Sequence, residues 1–178
     1  MLELLKRRRS IRFYEDKKVE KDKIDGLVMA ALLSPTSKNR RPWEFIVVED
    51  KEQLEKLAES KANGSSFLKS APLAIVVLAD PEKSDVWVED TSIATILVQM
   101  AAEAMGLGSC WVQIRERQHN EAMSAEVYVQ NLMKIPQSKR VEAIISIGYP
   151  NEVKKPIDQE SLQYEKVHQN SYGVAFKR

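Results

Sequence analysis

Between Lys6 and Tyr14 the chain reads Lys-Arg-Arg-Arg-Ser-Ile-Arg-Phe-Tyr, which places five cations within seven positions of a protein whose formal net charge is only +1. So dense a cluster is expected to meet something anionic. Arg8 and Arg12 stand four apart and would share a helix face, Ser10 adds a hydroxyl, and nearby backbone N–H groups could complete a cradle for a small phosphate. The plainer alternative is a solvated basic face that ends a short N-terminal helix, where cations favour the helix dipole.

A second stretch, Ser34-Pro35-Thr36-Ser37-Lys38-Asn39-Arg40-Arg41-Pro42-Trp43, leaves a helix at a proline and enters a strand at Pro-Trp. Asn39 can donate and accept, Thr36 and Ser37 can donate, and Pro35 offers an apolar surface without a competing N–H. Such groups suit the edge of a flat heteroaromatic, although an ordinary polar turn would use the same residues. Other chemistries find little support. Gly106-Leu107-Gly108 joins a helix to a strand, the reverse of a dinucleotide fingerprint, and there is no Walker loop or nucleophile elbow. His119 and His168 are far apart and lack partners at metal-ligand spacing. Cys110 lies between apolar neighbours with nothing cationic beside it in sequence, which reads as a buried small residue. A chain so poor in acid–base machinery favours a cofactor that brings its own reactivity.

The elements that must hold these stretches follow from periodicity. With 178 residues, 43% of them hydrophobic, the chain is long enough for one domain with a real core. Residues 2–9 read as a short helix, 11–18 as an irregular connection, and 21–34 as an amphipathic helix through Ile24, Leu27, Val28, Ala31 and Leu32, stopped by Pro35. Residues 43–48 are a β-prone run, after which Asp50 and Gln53 occupy the N-cap and N3 positions of a helix through Ser60. Residues 72–79 are apolar at consecutive positions, as in a strand covered on both faces. A helix over 88–105, apolar nearly all round and therefore expected to be buried, precedes a strand over 108–114, a polar helix from about 120 to 134, and a last strand over 141–147. This order predicts an α+β fold with about four strands wrapped by helices. Leu162, Tyr164, Val167, Tyr172 and Phe176 make the C-terminal segment too apolar for a free tail, so it should lie on another surface, such as a second subunit.

One cysteine and no apolar run of ~18 residues point to no oxidising compartment and no membrane span, with a reducing cytoplasm as the default. With 27 basic against 26 acidic side chains, the molecule also lacks the global positive field usual in nucleic-acid binders.

Taken together and in order, the motifs resemble the nitroreductase-like family of FMN-dependent oxidoreductases. The likeness is carried by Arg8-Arg9-Ser10-Ile11-Arg12-Phe13-Tyr14 and by Pro35-Thr36-Ser37-Lys38-Asn39-Arg40-Arg41-Pro42-Trp43-Glu44-Phe45. It continues through Ala71-Pro72, Asp90, Gly106 to Trp111, and Ile147-Gly148-Tyr149-Pro150. The resemblance implies a single domain over residues 1–178 with an α/β/α sandwich completed by homodimerisation, its 149–178 segment packed on the partner, and two FMN sites built from both chains. It implies that Arg8, Arg9, Ser10 and Arg12 hold the phosphate and the pyrimidine edge of the flavin. Pro35, Thr36, Ser37 and Asn39 would come from the partner to contact the ring. Gln113 and Ile114 would turn backbone donors toward flavin N5 and O4, Lys154 and Lys155 would add phosphate contacts, and Asn63 would contribute from its loop. The implied activity is ping-pong hydride transfer from NADH or NADPH through the flavin to a small acceptor such as a nitroaromatic or quinone. No side chain is expected to be catalytic, and no metal, nucleic acid or membrane is expected to take part. Arg41 replaces the family's usual glutamine and Thr36 its usual serine, and reductive dehalogenation, azoline oxidation or flavin breakdown can share the scaffold. The alternative from another class is a non-enzymatic module that uses the Lys6–Arg12 cluster to bind RNA or an acidic protein.

Overall fold

A computed structural model describes residues 1–177; Arg178, the last residue of the expected C-terminal segment, lies outside the described residues. Four antiparallel strands, β1 (Trp43–Val48), β2 (Leu73–Ala79), β3 (Gly108–Gln113) and β4 (Arg140–Gly148), form one sheet in the order β1-β2-β4-β3. Its faces are covered by α2 (Lys21–Leu32) and α4 (Trp87–Ala104) on one side and by α3 (Lys51–Ala58) and α5 (Ala125–Met133) on the other, with α1 (Leu2–Arg7) beside α4. The consecutive apolar residues of β2 divide between the layers, Leu73, Ile75 and Val77 facing α2 and α4, Ala74, Val76 and Leu78 facing α3 and α5. That division explains why this strand carries no polar alternation.

Local signals hold where the cap chemistry is in the sequence. The Asp50 side chain accepts from the Gln53 N–H at 2.9 Å and starts α3 as expected. Elsewhere the structure corrects the reading. α1 stops at Arg7, because Arg8 is extended and Ser10 bridges Ser109 of β3. α5 begins at Ala125, not near 120: Asn120 closes a turn by accepting from Ala122, and Ser124 caps the helix by accepting from Val127 at 3.2 Å. α4 is not buried all round. Its inward face carries Asp90, Thr91, Thr95 and Gln99 among alanines and Val98, while Ile93 and Ile96 are 39% and 38% exposed.

Strand order and register fix where the two chemical stretches lie. Trp43 pairs with Ala79, at the end of the sheet where β1 begins; Ser109 pairs with Ile147, and Ile147 with Leu73, at the other end and on the other edge. Three strand spacings and six residues of strand separate them, roughly 25 Å along the diagonal.

Candidate functional site

The arginine stretch is folded back against the start of β3 and fastened from beneath. The Ile11 N–H donates to the Ser109 carbonyl at 3.0 Å, and the buried Tyr14 hydroxyl donates to the Ile11 carbonyl at 2.6 Å and lies 2.7 Å from Ser146 Oγ. Burial pushes the Tyr14 phenol well above its ordinary range. Two glycines permit this close approach: a Cβ at Gly108 would stand 2.8 Å from the Ile11 side chain, and one at Gly148 would stand 2.6 Å from the Pro72 ring. From the far side, Glu152 accepts the N–H groups of Arg12 at 2.5 Å and Phe13 at 3.3 Å. Burial acts to raise that carboxyl, but these amides and the Lys154 ammonium hold it below the ordinary glutamate value.

The cations are then assembled from two segments, residues 8–12 and 154–155. Lys154 donates to the Ser10 carbonyl at 2.5 Å and lies 3.2 Å from Glu152, and Arg9 donates to the Lys155 carbonyl. Among the described residues no carboxylate pairs with the guanidinium of Arg8 or of Arg12, and Arg12 lies 5.7 Å from the centre of the Phe67 ring. Arg7 belongs elsewhere, pairing with Glu103 at 3.3 Å. Cys110 is buried beneath this group, contrary to the expectation that nothing cationic adjoins it. Arg12, Lys154 and Arg8 act on it through space, and only the greater cost of burial keeps its thiol above the ordinary range. Lys61, not among the sequence candidates, is half-buried, and burial, with the charge of Arg117 adding to it, lowers its ammonium below the usual lysine range.

β3 adds main-chain donors. Ile114 is buried and its N–H is committed to the Glu142 carbonyl at 3.1 Å, which withdraws it as a donor to any ligand. Alternation along an antiparallel pair then turns the amides of Trp111 and Gln113 toward the open edge. The side chain of Lys155 and that of Asn63 are exposed, Asn63 on the loop that leads to Phe67.

The second stretch lies at the diagonal corner and is held by its own contacts. Thr36 Oγ1 accepts from the Arg41 N–H at 3.0 Å, Asn39 Oδ1 accepts from Arg41 Nε at 2.9 Å, and the Ser37 N–H donates to buried Asp90 at 2.8 Å. Arg40 pairs with Asp85 at 2.5 Å. Lys38, Asn39 and Arg41 take φ values of 49°, 55° and 47°, left-handed conformations that cost about 1 kcal/mol each and that these bonds maintain. Pro35 is exposed beside them. Arg41 thus finds its partner in Asn39, and the structure brings together Arg8, Arg9, Ser10, Arg12 and Lys154 in one place and Pro35, Thr36, Ser37 and Asn39 in another.

The donor set of the first corner, unpaired guanidiniums, an ammonium and edge amides beside an aromatic ring, fits a phosphorylated ligand with a flat, acceptor-rich ring system. The comparisons with known proteins agree with that chemistry. The profile of the Nitroreductase family matches residues 5–65 and 59–149. A solved structure named as an FMN-dependent nitroreductase of Clostridium difficile R20291 is 51% identical, with a TM-score of 0.95 over 97% of this chain and 100% of that one. A protein of Archaeoglobus fulgidus that carries the provisional name NADH dehydrogenase/NAD(P)H nitroreductase is 40% identical over 157 residues, 86% of this chain and 87% of its own. An FMN reductase [NAD(P)H] of Bacillus subtilis is 27% identical over 186 residues, 91% of this chain and 72% of its own. With a family match over most of its length and a fold shared nearly end to end, the chain belongs to the nitroreductase family.

Proposed function

We propose that the protein is an FMN-dependent NAD(P)H oxidoreductase whose site is completed by a second copy of the chain. The observation that carries this reading is the pair of guanidiniums, Arg8 and Arg12, which among the described residues have no carboxylate partner, beside Ser10 on an open sheet edge. Unpaired cations held together repel one another, and a bound phosphate would offset that cost. Arg8, Ser10 and Lys154 hold the phosphate, with Arg9 and Lys155 closing the cradle through their mutual bond. Arg12, laid against Phe67, sets a fixed cation beside the ring system, where it favours added negative charge. The Gln113 N–H donates to the edge of the ring. When bound, FMN supplies the hydride-transfer chemistry that the side chains here do not.

The corner formed by Pro35, Thr36, Ser37 and Asn39 is too far from Arg12 to serve the same ligand within one chain. It serves the ligand of the partner, which makes the enzyme a homodimer. Exposed Ile93 and Ile96 on α4, Met29, Leu32 and Leu33 at the end of α2, and Leu2 and Leu5 on α1 offer the apolar surface for that contact. The segment from 149 onward, tied to its own chain by Ile157 N–H to the Lys6 carbonyl at 2.9 Å, extends over the partner with Leu162, Val167, Tyr172 and Phe176 exposed for it. The pyridine nucleotide and a nitroaromatic or quinone acceptor occupy one open face in turn, so initial-rate plots are parallel. Purified protein should be yellow and release FMN on denaturation; a colourless preparation that stays apo when FMN is added would refute the reading.

A further inference from the structure

Glu142 is a single acid within the otherwise apolar run Val141-Glu142-Ala143-Ile144-Ile145, and it is only 3% exposed. Ala143 of β4 faces Val77 and Val141 faces Leu78, so Glu142 is the extra residue of a β-bulge. A bulge takes a side chain out of the regular alternation and re-aims it. Here it is aimed at the end of β3.

We propose that Glu142 is a positioning residue for the flavin, holding the outward amide of Gln113 through a clamp on residues 113 to 115. The inference rests on the flavin site proposed above. The Glu142 carbonyl accepts from the N–H groups of Ile114 and Arg115, both at 3.1 Å, and its Oε1 accepts from Gln113 Nε2 at 3.3 Å. The other end of the Gln113 side chain accepts from Trp111 Nε1 at 2.8 Å, and its Nε2 also donates to the Arg115 carbonyl at 3.1 Å. Bound at both ends, the side chain of Gln113 fixes the rotation of its own backbone, and with it the direction of the edge N–H. An edge strand has no neighbour to do this, so the clamp supplies what a further strand would otherwise give.

The second carboxyl oxygen, Oε2, is buried with no hydrogen-bond partner among the described residues. A charged carboxylate left in that state is costly. Burial pushes the carboxyl of Glu142 up, with Gln113 Nε2 and Arg115 opposing the shift and Glu116 and Glu126 adding to it. Burial thus works against a full negative charge behind the edge that should carry electron density, while Oε1 still accepts from Gln113.

The test uses the full-length, FMN-loaded protein and reads FMN affinity and midpoint potential. Glu142→Ala should raise the FMN Kd about fivefold, the equivalent of one lost hydrogen bond, and move the potential. Gln113→Leu should move both in the same sense, and the double variant should be no worse than the more damaged single one. Glu142→Gln keeps an acceptor for Gln113 and should stay within about twofold, with the wild-type potential. The inference is overturned if Glu142→Ala leaves both readouts unmoved, if Glu142→Gln is as damaging as Glu142→Ala, or if the two sites add independently. Should Glu142→Ala fail to fold, the contrast between Gln113→Leu and Glu142→Gln decides: equal values overturn the proposal. Wild-type protein that takes up no FMN would defeat the flavin reading itself, whereas normal uptake with an unmoved potential in every variant defeats this inference alone.

Discussion

The corner at the start of β3 and the corner at the start of β1 are both polar and both rich in arginine, yet they treat their arginines in opposite ways. At the β1 corner the charges are settled internally, Arg40 on Asp85 and Arg41 on Asn39, and the backbone is bent into left-handed conformations to keep Thr36, Ser37 and Asn39 in place. At the β3 corner the backbone is fastened by Tyr14, Glu152 and Ser109, while the guanidiniums of Arg8 and Arg12 have no carboxylate partner among the described residues. One corner presents neutral donors and acceptors and the other presents charge. Neither is a complete site for a phosphorylated ring, and the strand order keeps them roughly 25 Å apart in one chain. The difference is what the proposed homodimer accounts for: a split site in which one copy would contribute charge and its partner edge contacts.

The comparison can be broken most severely at the charged corner. Arg12→Glu should abolish FMN retention, at least about a hundredfold in Kd, because it removes an attraction to the ligand and adds a repulsion in its place. Arg7→Glu, one residue from Arg8, should change the Kd by less than about threefold, since Arg7 is paired with Glu103. Equal losses, measured by fluorescence titration with FMN, would count against the cradle. Next in size is the contact between copies. Ile96→Glu on the exposed face of α4 should shift the protein to monomer in analytical ultracentrifugation and lower FMN content in parallel, as a buried unpaired charge costs several kcal/mol. A monomer that keeps full FMN content would separate the corners from one another.

A third variant tests the scaffold under the cradle. Gly108→Ala puts a methyl group 2.8 Å from the Ile11 side chain, forces the arginine stretch off β3, and should cost about 1–3 kcal/mol of stability in denaturant titration along with FMN affinity. The smallest effect concerns pH. The Glu152 carboxyl is depressed in the folded protein, so its contribution is fully present above the ordinary glutamate value, near 4.3, and fades as pH falls through its lower folded value. FMN retention should weaken over that acid range as the Arg12 and Phe13 amides lose their acceptor, and Glu152→Gln should flatten the dependence. Equilibrium dialysis at pH values stepped down from neutral to below the ordinary glutamate value would show it.

Much of the scaffold was legible because its causes are local. Asp50 and Gln53 announce α3, Pro35 ends α2 nearby, and the unbroken apolar run of β2 can only be a covered strand. The start of α5 was not, because the Asn120 turn and the Ser124 cap compete for the same polar residues, and only the bridge between Gln118 and Ser124 decides between them. The surroundings of Cys110 were not legible either: its cations arrive from Arg12 and Lys154, far away in sequence. Nor could local pattern show that the two motif stretches lie at opposite corners, which depends on strand order alone. Glu142, an acid inside a buried strand, is by contrast conspicuous against the apolar pattern around it.

The central claim, that each site draws its charge from one copy and its edge contacts from the other, is tested most directly by mixing two defective chains. One carries Arg12→Glu, the other a disrupted second corner with Ser37→Pro and Asn39→Ala, and each homodimer alone should be colourless. In the mixed dimer one site inherits both defects and the other inherits neither, so the account predicts that half of the wild-type FMN content returns, read from the flavin absorbance of the isolated heterodimer. A heterodimer as colourless as its parents would place each site within a single chain and contradict the account.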